Sequence, residues 1–427
     1  MTHVGSPLGV HARIPRLRRS GLVGLLVGLV MVGACAGEDG GPGAATADDP
    51  PREPVVIAIP ADAPTIQAGV DRAEPGDLVL VAPGTYHESV TVETDGITIR
   101  GEDRNTVVLD GQDALEHGVR VVADGVAVEN LTARSYRSAG VLFTGDHGQG
   151  RTLTGYRASH LTTHANGSYG VAAFNARGGL VEDVWASGHL DAGIAVHQCR
   201  PCDTVVRRAT AAYNGAGYQG TNAGGNLLVV ESVWRNNRVG LHPNSSDREE
   251  LAPQHDTSIV GNAILDNSDP AAPRPTEAFG IGVAVGGGTA NLIERNRIEG
   301  HASGGVVIAD QESYLADGNV VRGNVLGRNG VDLAMATRAA APRGNCFSGN
   351  TFSTSSPPDI EARFACAPES QGGNGSPVAL TPPPQAGTVP PPPSLPSMPD
   401  VRRIPAAAAA ASPPSVDLTA LAVPSPG

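Results

Sequence analysis

The chain of 427 residues contains no lysine; all 30 of its basic residues are arginine. No lysine amine is therefore at hand to act as a base or a Schiff-base nucleophile. Aromatic residues make up 4% and charged residues 17%, which excludes both an aromatic-rich core and a densely charged surface. Cysteines number five, too few for a disulfide-built scaffold of this length. Acids outnumber bases, giving a net charge of −13, which argues against nucleic acid as a partner and against simple capture of polyanions. A uronic-acid polymer would need a local basic patch or a bridging divalent cation such as calcium; the sequence names no other cofactor.

What is present begins with a leader. Arg13, Arg16, Arg18 and Arg19 precede the apolar run GLVGLLVGLVMVGA, 14 residues that are too few to span a bilayer as a mature helix and suited to a signal peptide. The run closes on Val32-Gly33-Ala34-Cys35, which resembles a bacterial lipobox. That resemblance implies cleavage before Cys35, lipidation of Cys35, and residence on the outer face of the cytoplasmic membrane through the lipid anchor. An ordinary small-residue cleavage site that happens to precede a cysteine is the alternative. Removing the four leader arginines takes the net charge to about −17. Four cysteines then remain, an even number in an exported chain, with Cys199/Cys202 and Cys346/Cys366 as the local pairs for structural disulfides. Cys199-Arg-Pro-Cys202 also has redox or metal spacing, but no second CxxC or His pair completes a zinc set. Residues 35–54 read as a flexible tether. Residues 367–427, with PPPP and AAAAAA runs, read as a Pro/Ala-rich disordered tail, extended and mobile.

Between these lies repetition. Short strands open on Gly170, Gly193, Gly217, Gly240, Gly282 and Gly305, at steps of 23, 24, 23, 42 and 23 residues. One coil therefore carries an insertion of about 19 residues, within 245–279. A second series places Asn262, Asn296, Asn324 and Asn350 at one recurrent position, as a ladder of side-chain amides at a turn would require. Such a period implies a solenoid, whose coils bury an apolar face only by stacking. Ahead of the repeats, TIQAGVDRAEPGDLVLVAPGTYHESV runs from one helical stripe (Ile66, Val70, Ala73) through two Pro-Gly breaks into strands. Over residues 55–366 the chain resembles the right-handed parallel β-helix repeat family, the pectin-lyase-like fold, whose open end is capped by a short amphipathic helix. The resemblance implies an all-β solenoid of roughly ten coils with the helix at 65–74 shielding a free strand edge. It does not imply one activity, because the fold hosts lyases, hydrolases, epimerases and adhesins.

Alternation along the strands gives a candidate site. With Ile194 and Val196 inside, Asp191, Ala195 and His197 face out; the next two coils present Gln219, then Arg238, His242 and Asn244. The equivalent positions Ala172, Phe174, Ala284, Gly286, Val307 and Ala309 are apolar or tiny, so polarity concentrates in three coils beside the insertion. His197 or His242 could act as a base with Asp191 as its partner, and Gln219, Arg238 and Asn244 could bind. A solvated strand face that binds nothing is the plain alternative. The paired acids of glycosidases are missing, and Pro253-Gln254-His255-Asp256 only approximates the Asp-Pro-His-Asp motif of alginate epimerases. The expectation is a monomeric surface protein that recognises an extracellular polysaccharide or cell-envelope component without catalysis. A lyase or epimerase with a His base is the alternative. Asp191, His197, Gln219, His242 and Asn244 are expected to be solvent-accessible in one groove.

Overall fold

The computed structural model describes residues 52–426 apart from 274–277, 339–343, 368–374, 386 and 406–412. The leader, Cys35 and nearly all of the tether lie outside the described residues. Each coil visits three sheets in turn, as in Gly224–Val230, Val233–Arg235 and Val239–Asn244. Repetition of that path builds parallel sheets of twelve, ten and eleven strands. In the eleven-stranded sheet Phe174 pairs with His197, Ala195 with Gln219, and Gln219 with His242 on successive coils. This is a parallel β-helix, with the right-handed course that connections between parallel strands take. Its core is a column of buried Val, Ile and Leu, including Ile194, Val196, Leu241, Val283 and Ile308.

The periodic glycines have a steric cause. A Cβ on Gly240 would lie 2.4 Å from Gly282 O of the next coil and 2.9 Å from Asn267 Nδ2. Gly217 and Gly305 meet the same two kinds of neighbour, a carbonyl of the next coil and an Asn amide. The turn can close around its amide ladder only where the side chain is missing. The Asn262 ladder forms as expected: the backbone N–H of Asn262, Asn296 and Asn324 each donates to the side-chain oxygen of the next Asn, at 2.9, 2.9 and 3.0 Å. Two further ladders occupy the other corners. Asn291, Asn319 and Asn345 form one. The other runs Asn166, His189, Asn214, Asn237, Asn267, His301, Asn329, with two imidazoles standing among the amides.

The cap helix spans Ile66–Arg72, with Thr65 as N-cap accepting from Ala68 N and with Ile66 and Val70 buried. At the far end Cys346–Cys366 ties the last coil to the short helix Ile360–Arg363, and Cys199–Cys202 closes a turn beside the eleven-stranded sheet. The insertion falls in two stretches: 245–254 follows the strand Val239–Asn244, and 266–280, of which 274–277 lie outside the described residues, precedes the strand Ile281–Gly286.

The described part of the tail has one 3-10 turn, Leu418–Ala420, and otherwise no helix or strand, and it is bonded to the coils. Thr381 N donates to Ser303 Oγ, Leu395 and Met398 bond to Asn105 and Asn130, and Arg297 donates to Pro424 O. The reading as a disordered tail is corrected for these residues. A polyproline-like strand leaves its carbonyls unpaired and loses little entropy on docking, and arginines on the coils supply the donors. No helix among the described residues is long and apolar enough to cross a membrane.

Candidate functional site

The eleven-stranded sheet brings His197, Gln219, His242 and Asn244 onto its outer face over three coils, with Asp191 in the turn before the strand Ala192–His197; His242 is two strands on from His197 and two residues out of register with it. Their accessibility differs from expectation. His197 is 1% exposed and Asn244 3%. The cause is the loop 245–254, which folds back across the intervening coil instead of standing beside it. Asn222 Nδ2 donates to Ser246 O and Glu249 O, and Arg200 donates to Leu251 O and Pro253 O. Glu249 thereby reaches His197, with Oε1 3.1 Å from Nδ1, while Phe174 stacks on the imidazole with centroids 4.8 Å apart. His197 Nε2 and Glu249 Oε2 are buried without a hydrogen-bond partner.

Arg238 is also corrected: it is 1% exposed, its guanidinium 5.1 Å from the centre of the Phe279 ring, so it is no free cation on the face. Asn244 is spent on the fold, donating to His242 O and accepting from Thr221 and Gln311. Gln219 is half-buried between Ala195 and His242. Burial pushes His242 down to about 4, against the hydrogen bond with Gln311, so its imidazole is neutral at physiological pH. Asp191 is half-buried and shifted upward by burial, with the Ser168 hydrogen bond and His197 opposing the shift. Among the described residues, no three His, Cys, Asp or Glu side chains converge to hold a metal. His255 and Asp256 of the epimerase-like echo pair with each other at 2.7 Å, at the start of a strand of the twelve-stranded sheet and off this face.

The residues that sequence reasoning passed over are Tyr169, Phe174 and Glu249. Tyr169 and Phe174 flank one strand, both half-buried on its outer side, their rings edge-to-face at 5.4 Å. Leu142 and Ala172 continue the apolar surface between them. Burial, then the carboxylates of Asp191 and Glu249, shift Tyr169 upward, so its hydroxyl remains a donor. Alternation turns Phe174 outward but puts Tyr169, five positions earlier, on the core side with Val171 and Ala173; only the break in alternation at Gly170 brings both rings out. The result is an apolar ring platform with a phenol and a carboxyl at its rim.

No family model matches the chain, and no curated protein matches it. Among solved structures it is similar to the A-module of mannuronan C-5 epimerase AlgE6 from Azotobacter vinelandii, at 16% identity and a TM-score of 0.49, over 69% of this chain and 95% of that one. It is also similar to an alginate lyase from Paenibacillus sp., at 14% identity and a TM-score of 0.42, over 70% and 99% of the two chains. For the pectate lyase Pel9A the values are 17% and 0.45, over 71% and 78%. These are likenesses of fold.

Proposed function

We propose that this protein is a cell-surface β-helix, anchored through lipidated Cys35, that binds a glycan or envelope polysaccharide without altering it. The observation that carries the reading is the Tyr169–Phe174 platform. Saccharide rings present apolar C–H faces that stack on aromatic rings, while polar groups at the rim fix their hydroxyls. The Tyr169 hydroxyl donates and Asp191 accepts. The ring pair lies outside the coil core, and its ring contact with the next coil is to His197. Phe174→Ala and Tyr169→Ala in the mature protein should each abolish retention of the glycans that the native protein captures on an array. Unchanged retention would remove the platform from the account. The anchor is tested separately: Cys35→Ala, or globomycin treatment, should leave unprocessed precursor, and normal maturation with release would refute it.

The pair Glu249–His197 supports a second reading, a lyase or epimerase. A carboxylate on Nδ1 holds an imidazole in one orientation and in the tautomer that leaves Nε2 as an acceptor, the arrangement a general base needs. Access is what this pair lacks, because Phe174 and the loop 245–254 cover the ring. Recognition without chemistry is therefore the reading adopted.

A further inference from the structure

The tail is not held evenly. Between Leu395 and Arg403 the coils bond the backbone of Leu395, Met398, Val401 and Arg403. The Asn105 amide makes two bonds to Leu395, Nδ2 to the carbonyl at 2.9 Å and Oδ1 from the N–H at 2.9 Å, as a neighbouring strand would. Asn130 Oδ1 accepts from Met398 N at 2.7 Å, and Arg100 Nη1 donates to Val401 O and Arg403 O at 2.9 and 2.7 Å. Ser397 Oγ donates to Asp103 and accepts from Arg104 N. Beside Leu395 and Pro396 lies a cavity of about 170 Å³ walled by Trp185 and Arg208. An aromatic wall next to a proline, with side-chain groups bonding an extended backbone, is the chemistry by which polyproline-type segments are recognised.

We propose that this groove is a peptide-recognition site and that it takes the Leu395–Arg403 segment of a second copy of this chain in exchange for its own. The geometry of the covalent connection permits it. About 30 residues separate Cys366 from Leu395, a reach of about 90 Å for a Pro-rich chain, against about 50 Å for eleven stacked strands. An exchanged segment makes the same contacts as the native one, so exchange is opposed by the effective concentration of the tethered tail and by the linker bonds of Thr381 and Gly387 to the coils.

The test uses full-length protein whose own segment cannot dock, carrying Leu395→Asp, Pro396→Gly and Met398→Asp, and a fluorescent peptide of residues 391–405 as probe. That variant should bind the peptide at least tenfold more tightly than the native chain, whose own tail competes. Adding Asn105→Ala should weaken binding at least tenfold, with the β-sheet circular dichroism unchanged. Sedimentation of the native full chain should show dimer growing with concentration, and the tail-substituted chain should stay monomeric. Peptide binding that is equal in native and tail-substituted chains, or indifferent to Asn105→Ala, overturns the site. Peptide binding with a native chain that is monomeric at every concentration overturns the second copy as occupant.

Discussion

Two pairs of histidines sit on opposite sides of the same sheet. His189 and His301 lie inside, in the corner ladder, where each Nδ1 accepts a backbone N–H at 3.1 Å as an Asn oxygen does on neighbouring coils. His197 and His242 lie outside, His197 bound to Glu249 and His242 to Gln311. The inner pair is part of the fold, because a lone pair on the ring replaces an amide oxygen. The outer pair holds a loop and its neighbours against the coils. The contrast teaches that a histidine placed outward by strand alternation need not face solvent. In this protein neither pair presents an unshielded base.

Acid acting on the buried ladder histidines should have the largest effect. Burial takes His189 and His301 down to about 3, against about 6.5 in an unfolded chain. Below pH 6.5 the unfolded chain binds protons that the folded chain refuses, so stability is full above 6.5 and falls as the pH drops towards 3. Each ladder histidine should contribute a slope of up to about 1.4 kcal/mol per pH unit in that window. His242, at about 4, adds to the same fall over a shorter range. Urea titrations from pH 7 to 4.5 should show it, and His189→Asn with His301→Asn should flatten the profile while keeping the ladder. An unchanged profile in that double variant would mean the imidazoles are not amide substitutes.

Next in size is the ladder itself. Asn237→Ala strands the Asn214 N–H and removes two bonds donated by Nδ2, to Ala211 O and Asn267 Oδ1. The cost should be about 3 kcal/mol, and Asn296→Ala in the all-amide ladder should cost about the same. A much smaller loss at either position, measured by denaturant unfolding, would show that water replaces the amide.

How much of this was legible in the sequence depends on the kind of contact. The Gly period and the Asn262 series were plain because one steric demand recurs on every coil. The ladder through Asn166 and Asn329 was hidden: His189 and His301 interrupt its amides, and equivalence of an imidazole nitrogen with an amide oxygen is a matter of geometry, not residue type. Strand alternation put His197, Gln219 and His242 on one face, where the sheet has them, while Asp191 precedes its strand. It gave no hint that residues 50 positions further on would fold back over His197, since that depends on Asn222 and Arg200 gripping loop carbonyls. Composition gave no sign of the tail's docking, because the side chains that bond Leu395 and Val401 lie about 300 residues away.

Smaller effects probe the outer side. His197→Ala deletes the bond to Glu249 and the ring under Phe174, and should cost about 1–2 kcal/mol while speeding amide exchange across 245–254. Unaltered exchange would mean that the loop does not depend on that bond. Phe174→Ala should lower stability by about 1 kcal/mol or less, as its ring is half-buried on the outer face and outside the coil core. A loss as large as that of Asn237→Ala would make the platform part of the scaffold.

The central claim is recognition without chemistry on this face, and recovery of bound glycan tests it most directly. A glycan retained by the native protein is eluted after prolonged incubation and compared with the input by mass spectrometry and NMR. The account predicts the same chain length, no unsaturated ends and unchanged sugar configuration. Shortened, unsaturated or epimerised product that disappears in His197→Ala would contradict it and establish the Glu249–His197 pair as a base.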